Sequence, residues 1–194
     1  MLNDTALPLA SACSGIILAG GQATRMGGLD KGWVEWRGVP LIQHVLSRLL
    51  PQVDDLVISA NRSLDRYQAL GHTVVTDQNE DYAGPLAGIA AGLTVCRHDW
   101  ALVVACDSPR LPIDLLSQLW IGSDKSHLVL LHDGKQLQPL FMLIHRQLLP
   151  SLQQAIARQQ HKVGQWAHAQ SPIIVHIHTP ECFINLNTLA DLDF

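Results

Sequence analysis

Short apolar runs alternate along the chain with longer stretches in which apolar residues recur every three or four positions. The first run covers residues 15–19 and ends before Gly20, and another covers residues 56–58. Short apolar runs of this kind, bounded by glycine or polar residues, are typical of buried strands. The same criterion predicts further strands at residues 33–36, 73–75, 101–105, 127–131, 140–144, 173–177 and 182–184.

Helical spacing is clearest after Pro40, because Leu41, Val45 and Leu49 fall on one face of a helix. Similar spacing predicts helices at residues 40–50, 64–70, 86–95, 113–121, 146–157 and 163–167, with a last helical turn from residue 188. Strands that alternate with helices favour an α/β fold with a mostly parallel sheet and helices on both faces. Ligands of such folds bind beyond the carboxyl ends of the strands.

The composition favours one folded domain. The 194 residues are 47% hydrophobic and 15% charged, which excludes disorder over most of the chain. No repeat or linker divides the sequence, so we expect a flexible tail over residues 1–13 and a single domain over residues 14–194. No stretch approaches the 18 apolar residues of a membrane span, and the N-terminus lacks the features of a signal peptide.

The net charge and the spacing of the cysteines limit the classes of binding partner and the cellular compartment that the sequence allows. The 13 Lys and Arg against 17 Asp and Glu give a net charge of −4 and no basic stripe for duplex nucleic acid. The four cysteines form no CxxC pair, which excludes a zinc knuckle and favours a reducing compartment. We therefore expect a cytoplasmic protein with no nucleic-acid or membrane partner, in which a local cluster of positive groups holds any anionic ligand.

The segment that follows the first predicted strand has no hydrophobic periodicity and combines glycines with two cations. These residues are Gly20, Gly21, Arg25, Gly27, Gly28 and Lys31. Glycines let backbone N–H groups approach an anion, arginine suits bidentate contact with phosphate oxygens, and lysine acts as a point charge. The spacing matches neither GxxxxGK[ST] nor GxGxxG. The segment therefore predicts a polyphosphate site of a less common kind.

The motif LAGGxxxRMGGxDK at residues 18–31 resembles the signature of the molybdenum cofactor guanylyltransferases. Relatives that activate sugars or other alcohols more often read LAAG here, so Gly20-Gly21 favours this family. The resemblance covers nearly the whole chain, through residues 59–62, 77, 82–88, 106–109, 138–141 and 185–188. It implies a three-layer, Rossmann-like nucleotidyltransferase fold.

The resemblance also implies the reaction and its partners. GMP would be transferred from GTP to the terminal phosphate of molybdenum-molybdopterin, giving the molybdopterin guanine dinucleotide cofactor and pyrophosphate. The attacking phosphate is already an anion, so the reaction needs no strong general base. Arg25, Lys31, loop amides and a Mg²⁺ cofactor would offset the repulsion between two polyanions. Transient contacts with molybdopterin-making proteins and molybdoenzymes are implied as well.

Asp107 directly follows the apolar run at residues 101–105. Without further context, a turn residue or a helix cap explains an aspartate in this place as well as a functional role does. Beside a phosphate site, its carboxylate suits Mg²⁺, which takes one or two carboxylates together with phosphates and water. The resemblance places the metal-binding aspartate here. We therefore expect Arg25, Lys31 and Asp107 to be catalytic, with Asp107 as the metal ligand.

Further nucleotide-binding residues are implied on several loops. The full set is Leu18, Ala19, Gly20, Gly21, Lys31, Ser59, Asn61, Asp77, Gly84, Pro85, Leu86 and Asp107. Family members often have asparagine where this chain has Ser59, and Asn61 follows two residues later, so either side chain could meet the nucleotide. The glycines of residues 84–92 fit either a ligand at the N-terminus of a helix or tight packing of that helix on the sheet.

The contacts to the pterin substrate are the weakest expectation. Asn185 and Asn187 would share one face of a strand, although without the resemblance an Asx turn or helix cap explains them better. Lys162 lies where the family often has a basic pair, and Gln138 and Pro139 fall in the family's order. The resemblance favours pterin contacts for all five.

Two other functions stay open. The same fold could use CTP with molybdopterin, or transfer a nucleotide to a sugar phosphate, because the base is read mainly by backbone groups near residues 18–20 and by Asn61. A non-catalytic nucleotide-binding regulator would be expected to lose Lys31 or Asp107, and both are present.

Overall fold

The computed structural model describes residues 12–20, 30–77, 84–178 and 180–183. Its strands are β1 (Cys13–Leu18), β2 (Glu35–Trp36), β3 (Val39–Pro40), β4 (Asp55–Ser59), β5 (Thr73–Val75), β6 (Trp100–Ala105), β7 (Leu128–His132), β8 (Leu137–His145) and β9 (Ile173–His176). Its α-helices are α1 (Leu41–Leu49), α2 (Leu64–Gln68), α3 (Pro85–Val95), α4 (Leu115–Trp120), α5 (Leu149–Ala157) and α6 (Val163–His168). Short 3₁₀ helices cover Lys31–Trp33, Leu50–Gln52, Arg146–Leu148 and Pro180–Phe183.

Within the described ranges, a 7-stranded sheet has the order β5–β4–β1–β6–β8–β7–β9, and β2 and β3 form a separate hairpin. Its neighbouring strands pair in parallel, except that β8 runs antiparallel to β6 and β7. The expected mostly parallel sheet is confirmed. Because β8 alone is reversed, it begins at the edge where β1, β4, β5, β6, β7 and β9 end. We call this edge the carboxyl edge.

Helices cover both faces of the sheet, because successive strand residues point to opposite sides. Ile17 packs with the apolar faces of α1 and α4 in one buried cluster. Its neighbour Ile16 packs with α3, α5 and α6 in a second cluster. The fold is therefore a three-layer α/β fold, with helices on both faces of the sheet. No helix in the described part of the chain is long and apolar enough to cross a lipid bilayer.

Three details differ from the sequence predictions. Residues 33–36 do not form one strand, because the 3₁₀ turn Lys31–Trp33 precedes a tight hairpin whose turn has Gly38 at φ +74°. The strand predicted at residues 182–184 is wrong for its described residues, where Pro180–Phe183 forms a 3₁₀ helix and the Phe183 ring packs 5.2 Å from that of Phe141. Cys13, the last residue of the predicted tail, is buried in β1. Residues 1–11 and the turn predicted from residue 188 lie outside the described residues.

Candidate active site

An ion pair at the carboxyl edge joins residues that are 76 positions apart in the sequence. Nζ of Lys31 donates a hydrogen bond to Oδ2 of Asp107 over 3.1 Å. The N–H of Cys106 donates to the carbonyl of Leu18 over 3.1 Å, which continues the β1–β6 pairing beyond the last strand residue. Asp107 therefore emerges beside the end of β1. Its side chain is 10% exposed, and that of Lys31 is 26% exposed.

Several charged groups surround the ion pair, and they act on the buried thiol of Cys106. Burial, followed by the negative charges of Asp107 and Asp30, raises the pKa of the Cys106 thiol well above its ordinary value, and Lys31 opposes the rise. Two carboxylates and one ammonium thus lie within electrostatic range of one buried thiol. Because only a thiolate is a good nucleophile, Cys106 has no nucleophilic role at neutral pH.

The ends of β4 and β5 bring Asn61 and Asp77 together beside Gly20. The N–H of Ala19 donates to the carbonyl of Ser59 over 2.8 Å, and the N–H of Asp77 donates to Oδ1 of Asn61 over 3.1 Å. A methyl group added to Gly20 would lie 3.3 Å from Nδ2 of Asn61. The Asn61 side chain therefore spans from the end of β5 to the backbone that follows β1.

The Ser59 side chain points to the face of the sheet that α3 covers. It is buried, and its Oγ would lie 2.7 Å from a Cβ added to Gly88 of α3. Gly92 of the same helix is close to the Ile16 side chain, where an added Cβ would be 2.8 Å from Cδ1. These two glycines therefore allow α3 to pack tightly on β1 and β4. Tight packing, one of the two explanations left open by the sequence, accounts for both.

The N-terminus of α3 lies at the carboxyl edge. Gly84 precedes the helix with φ +69°, a conformation that glycine adopts without strain. Pro85 is exposed at the first helical turn, whereas the Leu86 side chain is fully buried. A ligand could therefore contact Leu86 only through its backbone.

A groove of about 680 Å³ lies between β5, α3 and α5 and includes Asp77. Its lining contains neither Lys31 nor Asp107, so the groove is separate from the ion pair.

The start of β8 contains a buried polar cluster. Nε2 of Gln138 donates to Oδ2 of Asp133 over 2.7 Å, and the N–H groups of Lys135 and Gln136 donate to Oδ1. Desolvation raises the pKa of Asp133, but hydrogen bonds from Gln136, Gln138 and Lys135 outweigh it and hold that pKa below its ordinary value. The Gln138 amide is thus already bonded to a protein group, which the sequence did not predict.

The remaining predicted residues are distributed as follows. Pro139 is half-buried next to Gln138, and Lys162 is exposed before the first turn of α6. The carbonyl of His161 would lie 3.5 Å from a Cβ on Gly84, so the segment of Lys162 lies beside the start of α3. Gly21, Arg25, Asn185 and Asn187 lie outside the described residues.

Comparison with known proteins identifies the family. The model of the MobA-like NTP transferase domain matches residues 15–173. A molybdenum cofactor guanylyltransferase of Vibrio cholerae is 40% identical over 99% of this chain and 96% of its own length. Another, from Pseudomonas aeruginosa, is 46% identical over 79% of this chain and 77% of its own. This chain belongs to the molybdenum cofactor guanylyltransferase family.

A solved structure agrees with the fold. The molybdopterin-guanine dinucleotide biosynthesis protein A of Archaeoglobus fulgidus has a TM-score of 0.77, with 21% identity and coverage of 93% of this chain and 95% of its own. As a member of the guanylyltransferase family, the chain is a nucleotidyltransferase enzyme. The alternative of a non-catalytic regulator is therefore disfavoured.

Two residues near the ion pair, Asp30 and Tyr67, were not assigned a role from the sequence. Asp30 stands next to Lys31 inside the signature motif, and this position could have indicated a role for it. Tyr67 gave no signal, because an aromatic residue in a short helix is usually a core residue. The structure brings both against the turn that contains Lys31.

Proposed function

We propose that this enzyme transfers GMP from GTP to the terminal phosphate of molybdenum-molybdopterin and releases pyrophosphate. The observation that supports this most directly is the Lys31–Asp107 pair, 3.1 Å apart at the edge where nucleotides bind in this kind of fold. This pair supplies one cation and one carboxylate that together support binding of a triphosphate and its metal ion. The names of the relatives point to the same reaction.

The donor side of the site is formed by β1, β4 and β5. Gly20 is exposed and allows close approach of a ligand to the backbone. Asn61 lies beside it and holds the backbone of Asp77, whereas Ser59 is buried against Gly88. The proposal therefore assigns the nucleoside contact to Asn61 rather than to Ser59.

The residues at the ion pair fit a magnesium ion only if it is shared with the substrate. In the described ranges, no group of three or more His, Cys, Asp or Glu residues could hold a metal ion. The ion pair itself offers one carboxylate, that of Asp107, and Mg²⁺ characteristically takes one or two carboxylates with substrate phosphates and water. When bound, the ion would neutralise phosphate charge. We therefore assign Asp107 as its protein ligand.

The chemistry required of the protein is mainly electrostatic. An ionised phosphate oxygen of the acceptor forms a bond to the α-phosphorus of GTP, and the bond from that phosphorus to the bridging oxygen of the β-phosphate breaks. The bridging oxygen leaves with pyrophosphate and takes the electron pair. No proton has to be removed from the attacking group. Lys31, with Arg25 of the same loop, stabilises the charge that moves to the leaving group.

The acceptor would occupy the other half of the edge. Lys162 is exposed beside the start of α3 and can meet an acceptor phosphate. Gln138, which belongs to the buried cluster at the start of β8, and its neighbour Pro139 would contact the pterin of the acceptor. Asn185 and Asn187 are further candidates for contacts to the pterin. A cytoplasmic setting and transient contacts with molybdopterin-making proteins and molybdoenzymes complete the proposal.

Pyrophosphate release tests the reaction. The enzyme is mixed with Mg²⁺, molybdenum-molybdopterin and GTP, CTP or ATP in turn, and the nucleotide product is identified by mass. We expect release with GTP that depends on the acceptor and is far slower with CTP and ATP. Release with CTP at the rate of GTP, or release that does not need the acceptor, would contradict the proposal.

A further inference from the structure

The turn that contains Lys31 is bonded to helix α2 through one oxygen of the partly buried Asp30 carboxylate. Oδ1 of Asp30 accepts a hydrogen bond from the Tyr67 hydroxyl over 2.7 Å and another from the N–H of Gly32 over 3.2 Å. Tyr67 is fully buried, so its ring has little freedom to move. Asp30 and Gly32 are the two neighbours of Lys31 in the chain. The hydrogen bonds thus fix the backbone on both sides of the lysine.

A second contact holds the far end of the same turn. The guanidinium carbon of Arg66 lies 3.9 Å from the centroid of the Trp33 ring, within the range of a cation–π interaction. The rings of Trp33 and Tyr67 are 5.2 Å apart. Two consecutive residues of α2 therefore contact the turn from Asp30 to Trp33 at both ends.

The position of the Asp30 carboxylate lowers the stability of the fold, so packing alone does not explain why an aspartate stands there. Among the described residues, the second oxygen of Asp30, Oδ2, is buried without a hydrogen-bond partner. A buried carboxylate oxygen without a hydrogen-bond donor is destabilising, and an apolar side chain of similar shape would avoid this. Burial, with the nearby charge of Asp30, raises the pKa of the Tyr67 hydroxyl, which therefore stays a donor at any working pH.

We propose that Asp30 and Tyr67 are positioning residues that hold Lys31 in reach of Asp107 and of the leaving phosphates. The inference rests on the role proposed above for Lys31. The lysine side chain is long and flexible, and its charge is useful only where its backbone directs it. Fixing the turn from α2 keeps the ammonium in place when a nucleotide binds.

A double-mutant cycle tests the proposal. Tyr67→Phe removes one hydroxyl and keeps the ring that fills the core. We expect kcat to fall about 10- to 100-fold, the factor that corresponds to losing one hydrogen bond to a charged group, while KM for GTP changes less than about threefold. In a Lys31→Ala background the same change should alter kcat by less than about twofold, because residues that act through one group are not additive.

The outcomes separate this inference from the proposed function. If Lys31→Ala lowers kcat and Tyr67→Phe does not, the positioning role is refuted and the role of Lys31 stands. An equal fall in both backgrounds would also refute it, since Tyr67 would then act independently of Lys31. If Lys31→Ala leaves kcat unchanged, the role of Lys31 in the proposed function is wrong and the inference is refuted with it.

A matched control distinguishes positioning from a general loss of stability. Ser123→Ala also removes one hydroxyl, which donates to the carbonyl of Trp120 over 2.7 Å. It lies between α4 and β7, and β7 enters the sheet at the edge opposite the ion pair. We expect this variant and Tyr67→Phe both to keep the wild-type circular dichroism spectrum, and only Tyr67→Phe to lose kcat. A parallel loss in Ser123→Ala would overturn the inference.

Discussion

Gly32 is the position at which the contact between the lysine turn and α2 can be tested most directly. A Cβ added there would collide with the hydroxyl oxygen of Tyr67 and would lie 3.3 Å from the ring carbon Cζ. The ring cannot retreat, because Tyr67 is fully buried and its hydroxyl is bonded to Asp30. Gly32 lies in a 3₁₀ helix and not in the left-handed region, so its backbone conformation accepts alanine. The substitution Gly32→Ala is therefore a purely steric perturbation.

Two effects of opposite sign set the magnitude. Alanine is favoured over glycine in a helical turn by up to about 1 kcal/mol. Overpacking a rigid site costs about 1–3 kcal/mol, and here the clash involves an atom that is held by a hydrogen bond. We expect the steric term to win, with Gly32→Ala lowering the free energy of unfolding by about 1–2 kcal/mol.

Removing the hydroxyl should relieve most of this cost. In a Tyr67→Phe background, the nearest ring carbons would be 3.3 and 3.4 Å from the new Cβ, which is tight but requires a shift of only a few tenths of an ångström. We expect Gly32→Ala to cost less than about 0.5 kcal/mol there, a coupling that exceeds the additivity error of distant sites. Urea unfolding of the four proteins, followed by tryptophan fluorescence, measures it. Equal costs in both backgrounds would show that Tyr67 does not contact this turn.

Three further predictions concern activity and acid stability. Asp107→Asn and Lys31→Ala should each lower kcat/KM for GTP at least about 100-fold with the fold intact, and retention of more than about a tenth would remove the residue from the site. Asn61→Ala should raise KM for GTP about tenfold while Ser59→Ala leaves it within about threefold, because Asn61 lies beside the exposed Gly20 and Ser59 is buried against Gly88. The reverse order would reassign the contact. Hydrogen bonds hold the pKa of folded Asp133 below its ordinary value of 3.8. The stabilisation that Asp133 provides is therefore complete above the ordinary pKa and is lost as the pH falls through the pKa of the folded state. The difference in unfolding free energy between wild type and Asp133→Asn should therefore shrink below pH ~4, and a constant difference would contradict this.

The sequence was sufficient for the parts of the structure that depend on local pattern. Alternating strands and helices predicted the mostly parallel sheet, and the rule that loops meet at its carboxyl edge predicted that Lys31 and Asp107 come together. The reversed direction of β8 was not predicted, although the sequence carries a signal for it. The segment with Asp133-Gly134, between the strands predicted at residues 127–131 and 140–144, is too short for the crossover that parallel strands need. The Asp30–Tyr67 contact was beyond reach, since it depends on where α2 packs and not on the residues of α2 alone.

The reversal of β8 has a consequence for where the acceptor can bind. If all seven strands of the sheet ran in parallel, the turn at Asp133 would be replaced by a long crossover connection. Instead, β7 and β8 are joined by a short turn at the carboxyl edge, and Asp133 stabilises that turn through the N–H groups of Lys135 and Gln136. Strands lie about 4.8 Å apart, so the end of β7 is roughly 10 Å from the end of β6, where Asp107 stands. The start of β8, which holds the buried Gln138 amide, lies between that turn and the end of β6. We therefore expect the two phosphates that react to meet at Lys31 and Asp107, with the nucleoside over β1, β4 and β5 and the acceptor ring over β8 and β7.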